Sequence, residues 1–519
     1  MNSGWTRRDF LALSGASLLE SLVGHSQESS LHTTNTSADT SEKLIAEHRN
    51  IVIFMPDSMR ADALACYGNP ITKTPNFDRL AREGTRFANC HVQFPVCAAS
   101  RCSMLTGWPT SVRGHRSLFY LLRPEEPNLF RYLKKSGYDV FWFGKNDALA
   151  PETFPDSVTE WGEGTPGKTR PPVVKDLTPG VNSMFFSAGG DRRDLKDYHR
   201  LQSAIQILQR KEQDRPFCIF IPQTEPHPPY TAPAEFYNMY SPDSIPPLAP
   251  AGLKKKPDYH EGIRRTYHLD KLDEGTFRKI RAVYYGKVSL SDWLLGELLA
   301  ALEATGHGKD TALLVASDHG DYAGEYGLIE KWPSGLEDCL THVPMLARIP
   351  GGKPGIVAKD MVELYDIMQT CLDIAGVKAN HTHFSRSLLP QVAGGAGDPA
   401  RASFAEGGYN VYEPQCFEPL KEKGRPYDGK LQLQNEEPVM VSRSAMVRTR
   451  THKFISRPQD QWELYDSIAD PLETRNLFGE SSVSAVQAEL QTRLLVHYVN
   501  TTGIAPMSKD PRGLPKHKA

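Results

Sequence analysis

Short apolar runs that end at turn or polar residues recur along the chain, and they constrain its fold more than any other feature. Four clear runs and a weaker fifth occupy residues 51–55, 140–143, 217–221, 312–316 and 344–349. Continuous apolar runs of this length suit buried strands of a parallel sheet. Amphipathic stretches, which we expect to be helical, occupy residues 76–83, 128–135 and 277–304. This alternation predicts an α/β layered domain.

Polar residues follow the four clear runs. They are Asp57, Lys145, Gln223 and Asp318. In open α/β sheets, ligands bind outside the carboxyl ends of the strands. We therefore expect these side chains to lie around one site.

The last third of the chain has a different character. Residues 380–440 are rich in glycine, proline and loops. Residues 445–455 predict a β-hairpin about a polar turn, and residues 483–499 predict a helix. We interpret residues 386–519 as a smaller α+β subdomain with an antiparallel sheet and a helix, after a larger domain over residues 46–385.

The N-terminus carries the twin-arginine pattern T-R-R-D-F-L at residues 6–11, followed by a short, weakly apolar stretch. This pattern predicts a twin-arginine (Tat) export signal over residues 1–24. Residues 25–45 are typical of a disordered spacer. No run reaches the roughly 20 apolar residues that a membrane-spanning helix needs, so we expect no permanent membrane span. The expected protein is bacterial, exported by the Tat machinery, and periplasmic or extracellular.

The charges of the chain are balanced, with 60 basic and 62 acidic residues and a formal net charge of −2. This balance argues against nucleic-acid binding, which usually requires a basic surface. Eight cysteines are scattered without a CxxC pair, and their pairing stays open.

The most specific motif is C-A-A-S-R-C-S-M-L-T-G at residues 97–107. It resembles the signature of the formylglycine-dependent sulfatases, a family of the alkaline-phosphatase-like superfamily. In that family a maturation enzyme oxidises the first cysteine to formylglycine (3-oxoalanine). One hydroxyl of the hydrated aldehyde attacks sulfur, and the other later expels the sulfate. The resemblance assigns this nucleophile to Cys97 and implies that Arg101 holds the modified side chain.

Two motifs resemble the metal-binding segments of the family. Asp57 and Ser58 end the first run, and Asp318 and His319 follow the fourth. The resemblance implies a cation held by these four residues and Cys97. Oxygen ligands suit Ca²⁺, with Mg²⁺ or Mn²⁺ as alternatives. Ser58 departs from the family pattern, which has Asp or Gln at this position.

Three further motifs resemble segments that bind sulfate and transfer protons. They are G-Y-D-V-F-W-F-G-K at residues 137–145, P-H-P-P-Y at 226–230 and E-K-W at 330–332. They imply that Lys145 and Lys331 bind the sulfate group and that His227 protonates the leaving alcohol.

The base that completes the reaction stays open at this stage. Many relatives carry a histidine two residues after the lysine, where this chain has Asp147. Asp147 and His115 are the candidates. Arg113, His115 and His342 are candidates for substrate contact.

The resemblance covers nearly the whole chain after the predicted spacer, and it is closest to the branch of choline sulfatase, iduronate-type sulfatases and phosphonate monoester hydrolases. It implies a large mixed, mostly parallel sheet sandwiched by helices. It also implies hydrolysis of sulfate monoesters, and the predicted export favours fragments of sulfated polysaccharides as substrates. Two alternatives are a phosphodiester or phosphonate monoester hydrolase with the same nucleophile, and a non-catalytic saccharide-binding relative.

Overall fold

The computed structural model describes residues 49–162, 185–210, 214–412 and 428–504, all of which belong to one unit, Ser37–Ala519. The predicted export signal and spacer lie outside the described residues. In the part of the chain that is described, no helix combines the length and apolar character needed to cross a bilayer. The seven cysteines within it are free thiols.

Three sheets contain the strands of these described segments. The strands are β1 (Asn50–Asp57), β2 (Thr85–His91), β3 (Asp139–Phe143), β4 (Glu160–Gly162), β5 (Phe185–Ala188), β6 (Phe217–Pro226), β7 (Tyr230–Ala232), β8 (Thr311–Ala316), β9 (His342–Arg348), β10 (Ile356–Glu363), β11 (Ser403–Gly407), β12 (Ser444–Arg448), β13 (His452–Ser456) and β14 (Glu463–Asp466). The large sheet has the order β10-β2-β9-β8-β1-β6-β3-β4. A small sheet has the order β11-β12-β13-β14, and β5 pairs with β7.

Helices pack on both faces of the large sheet and beside the small one. The α-helices are α1 (Pro75–Glu83), α2 (Cys97–Thr106), α3 (Leu129–Lys135), α4 (Phe154–Ser157), α5 (Lys196–Leu208), α6 (Ala234–Tyr237), α7 (Tyr259–Thr266), α8 (Glu274–Ala304), α9 (Asp338–Thr341), α10 (Asp366–Ile374), α11 (Leu389–Val392), α12 (Asp428–Glu436) and α13 (Ser484–Thr501).

The large sheet is mostly parallel, as the sequence and its family resemblance predict. Its central strand β1 is parallel to both neighbours, β6 and β8. The side chains of β1 alternate between two cores, with Val52 and Phe54 in one and Ile51 and Ile53 in the other. A strand that is covered on both faces needs apolar residues at every position, which explains the continuous apolar run.

The prediction of a parallel strand at residues 344–349 is wrong. Strand β9 runs antiparallel to both β2 and β8. The chain leaves β8 at its carboxyl end, forms residues 317–341 there, and enters β9 at the same edge of the sheet. Without a crossover to the opposite edge, the returning strand must run in the opposite direction.

The apolar pattern also misses β2 and β10. Their sequences are T-R-F-A-N-C-H and I-V-A-K-D-M-V-E, so polar residues interrupt both. Their pairing contains an irregularity between Ala358 and Met361, and β10 forms an edge of the sheet. An edge strand with a bulge does not need a continuous apolar run.

The small sheet contains the predicted hairpin, in which β12 and β13 pair antiparallel. Leu490 and Leu494 of α13 pack on this sheet. Lys453 Nζ lies 2.8 Å from Asp338 Oδ1, and Arg457 Nη1 donates to Ser334 O at 2.5 Å. These buried contacts join the small sheet to the segment that follows β8.

Three histidines should make the protein sensitive to acid. Burial lowers the pKa of His91 well below its usual value, and it lowers the pKa of His381 and of His497 to about 4. Unfolding returns each pKa to about 6.5, so below that pH the unfolded chain binds more protons than the folded protein. The stability that these neutral rings contribute is therefore complete above pH ~6.5 and is lost as the pH falls toward ~4. Each histidine should lower the free energy of unfolding by up to about 1.4 kcal/mol for each unit by which the pH falls. We therefore expect the urea midpoint to decrease steadily from pH ~6.5 to ~5.

A histidine variant isolates this effect. His497 stacks on Phe404 with ring centroids 3.9 Å apart, and His497→Phe keeps an aromatic ring that cannot be protonated. The variant should show a shallower pH dependence than the native protein. An equal dependence in the two proteins would rule out His497 as a contributor.

Candidate active site at the carboxyl edge of the large sheet

Side chains from neighbouring elements meet where the parallel strands end. Asp57 is the last residue of β1, and Asp318 and His319 lie just beyond β8. Lys145 follows β3 by two residues, and Cys97 is the first residue of α2. The carboxyl ends of parallel strands share one edge of the sheet, so residues far apart in sequence converge there.

Helix α2 places Cys97 and Arg101 side by side, because residues four apart share one face of an α-helix. All ten residues of this helix are buried. The helix ends at Gly107, whose φ of 67° is a left-handed conformation that glycine adopts readily. A Cβ at Gly107 would lie 2.8 Å from Ser385 Oγ. Local packing therefore explains the glycine that closes the motif.

The Arg101 guanidinium joins two aspartates. Its Nε donates to Asp318 Oδ2 at 2.9 Å, and its Nη2 donates to Asp57 Oδ2 at 2.9 Å. All three side chains are fully buried. Buried carboxylates of this kind require positive partners, and Arg101 provides one with a fixed geometry.

Four side chains offer ligand atoms to a cation. They belong to Asp57, Cys97, Asp318 and His319, and the ligand atoms all lie within 4.8 Å of one another. His319 Nδ1 donates to Gly320 O at 2.8 Å, so the lone pair on Nε2 is available to a metal. Two carboxylates and an imidazole fit a divalent cation.

Ser58 lies in the same cluster. Its Oγ donates to Asp57 Oδ1 at 3.0 Å and lies 3.4 Å from His319 Nδ1. The backbone of Ser58 has a φ of 67°, which is uncommon for a residue other than glycine. The Tyr284 hydroxyl from α8 donates to Ser58 O at 2.8 Å. This contact helps to stabilise the strained backbone of Ser58, which directs the serine hydroxyl toward the cluster.

The buried charges shift two pKa values at the centre of the site. Burial opposes the ionisation of Asp57, but the charges of Lys145 and Arg101 hold its pKa well below its ordinary value. Burial and the neighbouring Asp57 raise the pKa of the Cys97 thiol to about 12. The unmodified cysteine is therefore a protonated thiol at neutral pH.

Lys145 connects the cation donors to Asp147. Its Nζ lies 2.7 Å from Asp57 Oδ2, 3.5 Å from Cys97 Sγ and 2.8 Å from Asp147 Oδ2. Burial opposes the ionisation of Asp147, but the charges of Lys145 and Arg101 hold its pKa below its ordinary value. Asp147 is therefore an ionised carboxylate beside the lysine.

His227 and Lys331 form a second pair of the site. Lys331 Nζ lies 2.8 Å from His227 Nε2, and His227 Nδ1 donates to Pro228 O at 2.5 Å. Because a carbonyl can only accept, the imidazole carries its proton on Nδ1 and accepts at Nε2 from the lysine. Burial and the charge of Lys331 lower the pKa of His227 well below its ordinary value. Lys331 also acts electrostatically on the Cys97 thiol, which links this pair to the cation donors.

Glu330 positions Lys331. Its Oε1 lies 2.8 Å from Lys331 Nζ, and its Oε2 lies 3.2 Å from Lys430 Nζ. Burial opposes the ionisation of Glu330, but the two lysines lower its pKa to about 2. Lys430 belongs to α12, so the C-terminal part of the chain contributes to the site.

Lys287 supports the loop that carries His227. It lies on α8, and its Nζ donates to His227 O and to Pro229 O, both at 2.6 Å. Glu225 Oε2, 3.1 Å away, balances its charge. The sequence motifs do not include Lys287, although a lysine within the apolar stretch of a long helix could have identified it. Glu330 and Lys430 carry no comparable signal, because charged residues of this kind are usually solvated.

The candidates His115 and Arg113 contact Glu126 and are not part of the cluster around Cys97. The ring nitrogens of His115 lie 2.6 Å from Tyr120 O and 3.0 Å from Glu126 Oε1. Arg113 Nε donates to the same Glu126 oxygen at 3.2 Å. Both ring nitrogens of His115 are therefore engaged with these partners.

His342 and Gln223 also differ from the cluster around Cys97. His342 Nε2 donates to Ala88 O at 2.9 Å, and its ring stacks on His91 with centroids 5.0 Å apart. Gln223 is fully buried, and its amide has no hydrogen-bond partner within the described segments. We have no physical account of this unsatisfied amide.

Comparison with known proteins identifies the family of the chain. A family model described as Sulfatase matches residues 49–377. An arylsulfatase of Clostridium perfringens (strain 13 / Type A) is 27% identical over 365 residues, which are 63% of this chain and 75% of that protein. The phosphonate monoester hydrolase of Agrobacterium radiobacter shares the fold with a TM-score of 0.70 and 20% identity, over 89% of this chain and all 100% of that one. A structure in complex with its substrate D-glucosamine-2-N,6-O-disulfate shares it with a TM-score of 0.68 and 21% identity, over 89% and 100% of the two chains. Because the family model spans more than half of the sequence, the chain belongs to the sulfatase family and is a sulfuric ester hydrolase.

Proposed function

We propose that the protein is an exported sulfatase that hydrolyses sulfate monoesters of saccharides and that its nucleophile is formylglycine made from Cys97. One observation carries the proposal: Cys97 begins a buried helix at the point where the cation donors and Lys145 converge. Formylglycine at this position would supply a hydroxyl that attacks sulfur, and Ca²⁺ in the donor cluster would balance the charge of the sulfate oxygens. The remaining steps depend on residues of the chain itself.

Lys145 would hold the ester, and the buried Arg101 would hold the modified side chain. Their cationic groups contact Asp57 from two directions, and the Lys145 ammonium lies 3.5 Å from Cys97 Sγ. Fixed positive groups beside the reacting atom stabilise charge that develops in the transition state.

The pair of Lys331 and His227 would protonate the leaving oxygen. The Nδ1 proton of His227 is directed to Pro228 O, so the proton between the two side chains is on the lysine. We therefore propose Lys331 as the proton donor, in place of His227, to which the family resemblance gives this role; His227 would orient the ammonium toward the ester oxygen.

Asp147 is the stronger candidate for the base. It is ionised and lies 2.8 Å from Lys145, whose ammonium reaches residue 97. Both ring nitrogens of His115 already have partners in Tyr120 and Glu126. We propose that Asp147 accepts the proton of the second hydroxyl at residue 97.

The carboxylate of Asp147 favours singly charged esters. It lies 2.8 Å from Lys145, which also contacts Asp57 beside Cys97. Asp147 places a negative charge where many relatives carry a histidine. A sulfate monoester carries one negative charge, whereas a phosphate monoester carries close to two at neutral pH. The additional carboxylate should repel the doubly charged ester more strongly.

Three nitrophenyl esters test the reaction class. We expect kcat/KM to be highest for nitrophenyl sulfate, lower for a nitrophenyl phosphodiester and lowest for nitrophenyl phosphate. A large preference for the phosphodiester, or for a phosphonate monoester, would instead identify the alternative hydrolase that uses the same nucleophile.

The saccharide class and the export route complete the proposal. The predicted Tat signal favours an extracytoplasmic substrate, and one structure of the same fold is described with a disulfated glucosamine. Because the Tat route carries folded proteins, a maturation enzyme would oxidise Cys97 before export. We assign catalysis to residues 46–385 and treat residues 386–519 as the C-terminal subdomain. A panel of sulfated monosaccharides and disaccharides would identify the sugar and the sulfated position.

A bound cation should stabilise the folded protein. EDTA should lower turnover, Ca²⁺ should restore it, and Ca²⁺ should raise the thermal midpoint, because a ligand that binds only the folded state stabilises it. Ser58→Asp adds a carboxylate at a left-handed position that aspartate tolerates. This variant should bind Ca²⁺ more tightly, on the order of tenfold, as the thermal shift would report. Equal midpoints with and without Ca²⁺, Mg²⁺ or Mn²⁺ in both proteins would argue against a cation site.

A further inference from the structure

A cleft beside Lys145 takes no part in the steps described above. It has a volume of about 350 Å³ and is bounded by β3, β4 and the segment that follows β3. Gly144 and Asn146 line it, and they flank Lys145 in the sequence. The lysine ammonium reaches Asp57 at 2.7 Å and Cys97 Sγ at 3.5 Å. Residues 144–146 therefore connect the lining of the cleft to the lysine that lies beside Cys97.

The lining of this cleft is aromatic and uncharged. None of its lining residues is ionisable, in contrast to the charged groups around Cys97. Trp161 on the edge strand β4 is 50% exposed, and its ring rests on Phe154 with centroids 5.2 Å apart. A large amphipathic ring held at the mouth of a cleft is a typical contact for a ligand that is both apolar and polar.

A second tryptophan forms part of the same wall. Trp142 lines the cleft and is 1% exposed. Its indole N–H finds no acceptor within the described segments. This nitrogen is inaccessible from the cleft, so Trp142 contributes ring surface to the wall and its N–H does not serve a ligand.

These features match a pyranose ring. Its C–H face can stack on an aromatic side chain. The lining within the described segments is uncharged, which suits an uncharged sugar better than a sulfate group. We propose that this cleft is a saccharide subsite that binds an uncharged sugar of the substrate next to the sugar that carries the reacting sulfate. The inference rests on the proposed function, and it predicts a preference for sulfated disaccharides over the corresponding monosaccharides.

The variant Trp161→Ala distinguishes sugar binding in the cleft from catalysis at residue 97. The probes are nitrophenyl sulfate and sulfated disaccharides from heparin, chondroitin sulfate and carrageenan, each beside its sulfated monosaccharide. For the disaccharide that the native enzyme prefers, kcat/KM should fall about tenfold or more, because loss of an aromatic contact weakens binding by roughly 1 kcal/mol or more. Turnover of nitrophenyl sulfate should change less than about twofold, since this ester is too small to reach the cleft.

A matched control lies at the other edge of the sheet. Val357 on β10 is 43% exposed, and Val357→Ala should leave both kinds of substrate unaffected. An equal loss on both substrates in Trp161→Ala, or no loss on either, would overturn the subsite. So would a native enzyme that shows no preference for any disaccharide.

Binding to an inactive variant separates this inference from the proposed function. Fluorescence titration of Cys97→Ala protein with the same disaccharides measures affinity without turnover. The double variant with Trp161→Ala should bind about tenfold more weakly. Equal affinities would contradict the subsite even if sulfatase turnover is found, and unequal affinities would support it even if nitrophenyl sulfate is not hydrolysed.

Discussion

Cys97→Ala should abolish the hydrolysis of nitrophenyl sulfate, lowering kcat by about 10⁵-fold or more. The variant removes the atom from which the nucleophile is made but keeps the surrounding charges, among them Arg101 and Lys145. Binding and charge stabilisation alone cannot replace a covalent nucleophile. The measurement is kcat under saturating substrate with protein from a host that contains a maturation enzyme.

Cys102→Ala is the matched control for this variant. Cys102 lies on the same helix and is equally buried, and its Sγ donates to Ala148 O at 3.6 Å. Its loss should lower stability slightly while kcat remains close to that of the native enzyme. Substantial activity in Cys97→Ala would place the nucleophile elsewhere. A correctly matured native protein that binds saccharides without turnover would support the non-catalytic alternative.

Lys331→Ala should lower kcat for a sugar sulfate by about 10²–10⁴-fold, which is the usual contribution of a positioned general acid. The ammonium lies 2.8 Å from His227 Nε2 and is the donor in the proposed proton transfer. Nitrophenolate leaves without a proton more easily than a sugar alkoxide. The loss should therefore be clearly smaller for nitrophenyl sulfate than for the sugar sulfate.

Lys430→Ala provides the comparison for Lys331. Lys430 Nζ lies 3.2 Å from Glu330 Oε2 and donates to Lys331 O at 3.2 Å, so it supports the carboxylate and the backbone that position Lys331. We expect a decrease of about tenfold or less, equal for both substrates. An equal loss for both substrates in Lys331→Ala would show that this lysine binds the ester without protonating the leaving group.

Local rules predict a large part of the fold and of the site. Buried parallel strands such as β1 require apolar residues on both faces, so their positions can be read from the sequence. The spacing of Cys97 and Arg101 by one helical turn places both on one face of α2. Asp57 and Asp318 end parallel strands, so they meet at one edge without any knowledge of the intervening chain.

Other features depend on contacts between distant segments, which no local pattern encodes. The direction of β9 follows from the return of residues 317–341 to the same edge of the sheet. Lys287 and Lys430 act on His227 and Glu330 from helices far away in the sequence. The cleft at Trp161 depends on the packing of the edge strand against α4. Tertiary structure decides these positions, and propensity does not.

The mass of one peptide tests the central claim most directly. Trypsin should release residues 87–101, which contain both Cys90 and Cys97. In active protein from a host with a maturation enzyme, fragmentation should locate an aldehyde at residue 97 and an intact thiol at Cys90. A fully retained thiol at residue 97 in active enzyme would contradict the formylglycine mechanism.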